Sequence, residues 1–269
     1  MRRALVVFVL GSAVVAECQT PAVEAHRFWP QWRGSHGTGV ASFGNPPVSW
    51  SEEENIAWIN RDEISSWTSP FVIEHGGSAQ VVTSATNRVR SYDVETGELL
   101  WEASGVSLNA IPTPVGAQGM VFVTSGFQDF VLHAVDFPAA RGDITDSNAI
   151  VWSHDRDTPY VPSPLLYDDT LYLLKSHSGI LSAIEAKTGK THYIERLDGI
   201  LNVFASPVAA AGRIYIPSRE GSTAVVESGQ EFKLVAVNEL DDGFDASPVV
   251  VDDEIYLRGK RYLYRISSE

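Results

Sequence analysis

The sequence has one cysteine in 269 residues. A single thiol cannot pair within the chain, so a disulfide-built scaffold is excluded. Positive charge is also scarce. Lys and Arg number 20 against 34 Asp and Glu, a formal net charge of −14. A surface of that sign repels phosphate backbones and sets nucleic acid aside as a partner. Beyond the first 16 residues no apolar run is long enough for a transmembrane helix. The seven histidines are scattered, with no His-x-x-x-His pair to suggest a metal centre. No Gly-x-Ser-x-Gly elbow presents a nucleophile. What remains is 44% apolar and 20% charged, the balance of a folded domain and not of a disordered chain.

Residues 1–18 read as a secretory signal peptide. Arg2 and Arg3 form a basic start, Ala4 to Ala16 an apolar run, and Val14-x-Ala16 the small residues before a cut. That makes the protein exported, periplasmic or extracellular. A lipid anchor on Cys18 is disfavoured, because Glu17 stands where a small residue is needed. The lone thiol then lies at the processing boundary and carries no redox reading for the fold.

A repeat governs the remainder. Ser/Thr-Pro recurs at Ser69-Pro70, Thr113-Pro114, Ser163-Pro164, Ser206-Pro207 and Ser247-Pro248, with the prolines 44, 50, 43 and 41 residues apart. Each proline opens a short apolar run, then a turn such as Gly76-Gly77 or Asp168-Asp169, then a second run such as Val121–Ser125. A third and a fourth run follow. They are rich in Val, Ile, Tyr and Phe and bounded by Gly, Asp and Asn, so they read as strands. Proline suits the first residue of a strand, where no ladder bond is lost.

Four strands per repeat of this length is the pattern of a β-propeller blade. The expectation is an all-β propeller of four-stranded antiparallel blades, five in number. A flat sandwich would not need so regular a repeat. The fifth repeat stops after three strands, and Asn55–Asn60, with Trp58, occupies a fourth-strand position just before the first Ser-Pro. The two termini are therefore expected to share the last blade, the N-terminal strand closing it and removing an open edge. The chain divides into a signal peptide (1–18), a Trp/Gly-rich leader packing on the propeller (19–54) and the propeller itself (55–269).

One turn recurs within the repeats. Asp93-x-x-Thr96-Gly97 is followed by Trp101, and Glu185-x-x-Thr188-Gly189 by Tyr193. An acid ends one strand, Thr-Gly makes the hairpin, and glycine accepts the positive φ. The aromatic four residues later is placed to dock against a neighbouring blade, as are Trp58 and Trp152. Burying one indole is worth roughly 2–3 kcal/mol. These residues are the expected structural docking motifs.

This pattern resembles the tryptophan-docking motif of the quinoprotein-like, or PQQ-like repeat, propellers. The resemblance covers about residues 28–269. The segment from Phe28 to Val40, with Trp50–Trp58, is similar to the leader of secreted bacterial, planctomycete-type members. The insertion Arg141-Gly-Asp143-Ile-Thr145-Asp146 resembles theirs as well. The resemblance implies a WD40/YVTN-like all-β fold and brings two activities into view. Some members are alcohol or sugar dehydrogenases that hold pyrroloquinoline quinone and calcium; others are scaffolds, such as the outer-membrane assembly lipoprotein. Family members usually carry more blades than this chain has repeats. The chain lacks adjacent cysteines, and no axial Asp/Glu/Asn set follows from its spacing. No catalytic or metal residue is assigned, and neither quinone nor calcium is expected.

Weaker constellations have plainer readings. Asp143, Thr145, Asp146 and Asn148 offer clustered oxygens without the glycine and distal glutamate of a calcium loop, and read as a capped turn. Arg33, His36 and Gly37 read as part of the brace beneath the propeller. The acidic runs at 52–54, 241–242 and 252–254 read as solvated loops. The expected function is a non-catalytic, monomeric scaffold that binds a protein or glycan of the cell envelope. A quinone- and calcium-dependent oxidoreductase is the alternative.

Overall fold

The computed structural model describes residues 46–49, 51, 53, 56–59, 66–175 and 178–267. Within them the chain is all strand and turn. In chain order the strands are β1 (Phe71–His75), β2 (Ser78–Ala85), β3 (Arg88–Asp93), β4 (Leu99–Ser104), β5 (Val115–Ala117), β6 (Met120–Phe127), β7 (Asp129–Asp136), β8 (Gly142–Asp143), β9 (Ile150–His154) and β10 (Leu165–Tyr167). There follow β11 (Thr170–Lys175), β12 (Ile180–Glu185), β13 (Thr191–Arg196), β14 (Val208–Ala210), β15 (Arg213–Pro217), β16 (Ser222–Glu227), β17 (Leu234–Glu239), β18 (Val249–Val251), β19 (Glu254–Arg258) and β20 (Leu263–Ser267).

They form five sheets, one per Ser/Thr-Pro repeat. Sheet I is β1-β2-β3-β4 with β8 added in parallel to β4, sheet II β5-β6-β7-β9, sheet III β10-β11-β12-β13, sheet IV β14-β15-β16-β17 and sheet V β18-β19-β20. Apart from the β4–β8 pair, every ladder is antiparallel. The first strands touch in succession: β1 with β5, β5 with β10, β10 with β14, β14 with β18. The tight first turns explain the regular spacing. Gln118-Gly119 and Asp168-Asp169 hold both central residues at positive φ, the geometry that matches strand twist across a two-residue hairpin.

The core lies between the sheets, and strand periodicity sorts it. In β6, Val121 and Val123 pack with sheet I while Phe122 packs with sheet III. In β11, Leu171 and Leu173 join sheet II, and Tyr172 and Leu174 join sheet IV. A middle sheet is buried on both faces, so its strands read as continuous apolar runs.

A chain of hydrogen bonds links the sheets at their first strands. The amide of Ser69 donates to Thr113 Oγ1 (3.2 Å), Thr113 to Ser163 Oγ (3.0 Å), Ser163 to Ser206 Oγ (2.9 Å) and Ser206 to Ser247 Oγ (3.0 Å). The hydroxyl of each repeat thus satisfies a backbone donor in the repeat before it. This gives the Ser/Thr-Pro dipeptide its second residue requirement: proline starts the strand, and the hydroxyl ties it to its neighbour.

A β-bulge recurs between the third and fourth strands of sheets I to IV, after Ser91, Ala134, Ala183 and Val225. The residue before the bulge faces Trp101, Trp152, Tyr193 and Ala236 respectively. A small residue stands opposite each aromatic. In sheet IV the sizes are exchanged, with valine opposite alanine.

Sheet V has three strands. Residues 56–59, expected within its fourth strand, form no strand and no ladder, and Asn55 and Asn60 lie outside the described residues. The shared blade is therefore not seen in the described residues, and no contact like those above returns from β18 to β1 among them. Ile56 and Ile59 are exposed, leaving Trp58 as the anchored residue of this segment. The signal peptide and the leader up to residue 45, including Arg33, His36 and Gly37, lie outside the described residues as well.

Candidate functional site

Antiparallel order puts the ends of each sheet to different uses. One end carries the hairpins between first and second strands and between third and fourth. The other carries the second-to-third hairpins and the connections that cross to the next sheet.

The first end holds the docking motifs. Asp93 Oδ1 accepts the amides of Glu95 (3.0 Å) and Thr96 (2.8 Å) and the Thr96 hydroxyl (3.0 Å). The Thr96 amide and hydroxyl, in that order, hold the Asp93 carboxyl below the usual range. Gly97 donates its amide to Asp93 O at 2.9 Å and stands at φ 71°. The second turn is built alike: Thr188 bonds the Glu185 carboxylate, and Gly189 donates to Glu185 O at 2.9 Å with φ 75°.

Each turn receives an indole from outside its own sheet. Trp58 Nε1–H donates to Val94 O (3.1 Å), and its ring covers Gly97. Trp152 Nε1–H, from sheet II, donates to Ala186 O (2.9 Å) of sheet III, and its ring covers Gly189, where an added Cβ would lie 2.6 Å from the indole. At both turns the glycine is needed twice, for φ and for the ring. Trp101 is fully buried and its Nε1–H donates to Gln80 Oε1 (3.1 Å) of its own sheet. Its ring shares a core with Phe137, Ala140 and Ile144 of the 137–149 insertion, where β8 replaces the glycine turn. Tyr193 meets Phe232 of the next sheet edge-on at 5.5 Å. Burial, and then the nearby Tyr172, push the Tyr193 hydroxyl far up, and its oxygen has no hydrogen-bond partner.

The insertion is internally engaged. Thr145 donates its amide to Asp143 Oδ1 (3.0 Å), and Arg88 lies 3.6 Å from Asp143 Oδ2 and 3.0 Å from Glu102. Asp146 and Asn148 point to solvent. Among the described residues no group of three or more His, Cys, Asp or Glu is arranged to hold a metal.

The opposite end is different in kind. Its connections carry exposed apolar side chains: Trp67 at 71%, Leu108 at 56% and Leu201 at 58% exposure. Backbone bonds fix them. Trp67 N–H donates to Ala110 O (3.2 Å), and Asn87 N–H to Ser107 O (3.4 Å). Two cavities open here. One, of about 330 Å³, lies between the β6–β7 tip and the 155–164 connection and is lined by Phe127, Gln128, Phe130, Tyr160 and Lys175 among others. The other, of about 470 Å³, is lined by Glu220, Glu239 and Asp241 beside Ser222 and Leu240. Burial pushes Glu220 up, but the Asn202 side chain (2.7 Å) and amide (3.2 Å) outweigh it and leave the carboxyl lowered. Arg219 pairs with Asp245 at 2.6 Å and lies 4.0 Å over the Phe204 ring.

Asp242 anchors this end of sheet V. Its side chain is almost fully buried and accepts the amides of Gly243 (2.8 Å), Arg261 (3.1 Å) and Tyr262 (3.0 Å) and the Tyr264 hydroxyl (3.3 Å). Burial raises its carboxyl, and the four donors together bring it below the ordinary value. The acidic run at 241–242 is thus half solvated, at Asp241, and half structural.

The sequence singled out the docking residues of the first end and left the aromatic tip of sheet II at the second end unremarked. The available signal was Phe127-Gln-Asp-Phe130, two aromatics flanking a hairpin tip where polar residues are the rule.

This architecture has known counterparts. The PQQ_2 family, described as "Outer membrane protein assembly factor BamB", matches residues 31–269. The chain belongs to that family. Among solved structures, BamB from Moraxella catarrhalis is similar with a TM-score of 0.60 at 17% identity, over 79% of this chain and 62% of that one. The computationally designed Ika8 protein is similar with a TM-score of 0.58 at 12% identity, over 77% and 61%. At these identities the likeness is one of fold, a β-propeller built from PQQ-like repeats. The chain spans about three fifths of the length of either counterpart. Curated proteins give no sequence match.

Proposed function

We propose that this BamB-type propeller is an exported scaffold that holds a partner protein of the cell envelope on its cross-connection face. The observation that carries the reading is the exposure of three apolar residues there, Trp67, Leu108 and Leu201, on connections fixed by backbone hydrogen bonds. Apolar side chains held in water on a rigid frame favour association, because a partner removes their surface from water. The opposite end presents turn residues such as Glu95, Glu98, Asp168 and Lys187, and its apolar residues Leu99, Val235 and Val251 are less exposed than Trp67, Leu108 and Leu201. The family description, an outer membrane assembly factor, agrees with a non-catalytic role in the envelope. No helix among the described residues is long and apolar enough to cross a membrane.

The test is recovery of a defined partner by crosslinking from envelope extract. Wild type and Leu99→Glu, altered at the far end, should recover the same protein. Trp67→Glu and Leu108→Glu should not. Recovery that ignores Trp67 and Leu108 would remove the face from consideration. A melting shift of several degrees on adding pyrroloquinoline quinone and calcium, or dye reduction with alcohols or sugars, would replace the scaffold reading with the oxidoreductase one.

A further inference from the structure

The cavity at the tip of sheet II differs from the exposed apolar residues of the same end. Phe127 and Tyr160 stack at 5.1 Å with an interplanar angle of 25°, and Phe130 stands 42% exposed at the wall. Asn109 Nδ2–H donates to Tyr160 Oη at 2.9 Å, which fixes the ring. Lys175, at the end of β11, completes the lining and pairs with Asp157 at 2.8 Å. Gln128, at the β6–β7 tip, and Asp157, next to the lining residue Thr158, both hold positive φ (68° and 56°).

The chemistry of this lining selects a class of ligand. The rings offer flat apolar surface to a partner that has one apolar face. The Lys175–Asp157 pair sets an ammonium donor next to a carboxylate acceptor, and Gln128 adds an amide that does both. A sugar ring carries axial C–H groups on one face and vicinal hydroxyls, each both donor and acceptor, at its edge. An extended peptide would instead require a run of unpaired backbone groups. From these two strands only Gly126 and Phe127 of β6 and Phe130 of β7 line the cleft, too short a run for a peptide to add as a strand. A volume of about 330 Å³ lies at the small-ligand end of binding cavities.

We propose that this cleft is a saccharide subsite, taking one or two rings of a neutral glycan with a face against Phe130 and hydroxyls on Lys175, Asp157 and Gln128. It is independent of the partner surface, since it uses neither Trp67 nor Leu108.

Saturation-transfer NMR on the full chain tests it, with maltotriose, cellotriose and tri-N-acetylchitotriose as probes. Transfer to the ring protons of at least one probe is expected. Phe130→Ala should weaken that probe about tenfold, and Lys175→Met should weaken it too. Leu108→Glu should leave it unchanged. Phe130 and Lys175 are partly exposed, and matching thermal melts will show that the variants fold. The proposal is overturned if none of the three probes receives transfer at millimolar concentration. It is equally overturned if transfer survives both substitutions. Phe130-dependent capture of aromatic or proline-rich peptides on an array, with no saccharide bound, would make the cleft a peptide site instead.

Discussion

The amide of Ser163 donates to the hydroxyl of Ser206, 43 residues further on, at 2.9 Å. Neither group belongs to a β-ladder. The bond joins sheets III and IV at their first strands, and the same bond recurs at three other junctions. The junctions between sheets I and II, II and III, and III and IV are therefore tied twice, by a hydroxyl at the first strand and by an apolar core further out.

Removing the hydroxyl should loosen that junction. Ser206→Ala leaves the Ser163 amide without its acceptor and is expected to cost about 1 kcal/mol, since the site is half-buried. Ser206→Thr keeps the oxygen and should stay close to wild type. Urea denaturation followed by tryptophan fluorescence measures both. An alanine variant indistinguishable from wild type would show that water replaces the bond.

The Trp152–Gly189 contact makes a second expectation. Gly189→Ala places a methyl against the indole at a φ of 75°, so it should destabilise by more than about 1 kcal/mol. Trp152→Ala empties the same space and should cost about 3 kcal/mol or more. Together the two should cost less than their sum, because the methyl then meets a void. A double-mutant cycle by denaturation reads the coupling. Strict additivity would mean that the ring and the glycine do not share this space.

Acid should act at the junction of sheets I and II. His133 Nδ1 lies 2.7 Å from Ser153 Oγ. Burial pushes its ring down in pKa, against a smaller upward pull from the Ser104 backbone. The fold therefore favours the neutral ring. Stability is intact above the unfolded value of about 6.5 and declines as pH falls from there toward the depressed folded value. Denaturation midpoints at mildly acidic and neutral pH should differ in wild type and differ less in His133→Gln. An equal pH response in both would assign the effect to other groups.

The fold was legible because its determinants are local and repeated. Ser/Thr-Pro, a two-residue turn and the acid-x-x-Thr-Gly hairpin each act within a few residues, so spacing alone exposes them. The docking of Trp152 was legible in kind and not in partner. Its acceptor, Ala186 O, is 34 residues away and any carbonyl would look the same in sequence. The serine relay was hidden for the same reason: Ser before Pro reads as crowding until the neighbouring amide is placed beside it. The cleft was least legible. Its walls come from a hairpin tip, a connection and a strand end, and only the packing of sheets II and III brings Phe127, Tyr160 and Lys175 together.

The exchanged pair Val225 and Ala236 bears on how interchangeable the repeats are. The antiparallel strand course and the bulge are common to sheets I to IV, while the acid-x-x-Thr-Gly turn belongs to sheets I and III alone. As surfaces the four differ: three present a ring to the neighbour that follows, and the fourth presents a methyl. Each sheet thus carries a mark of its place in the series. A gene with two repeats transposed would keep all its strands and lose its fit at every altered junction, so the order of the blades is itself written in side-chain volume.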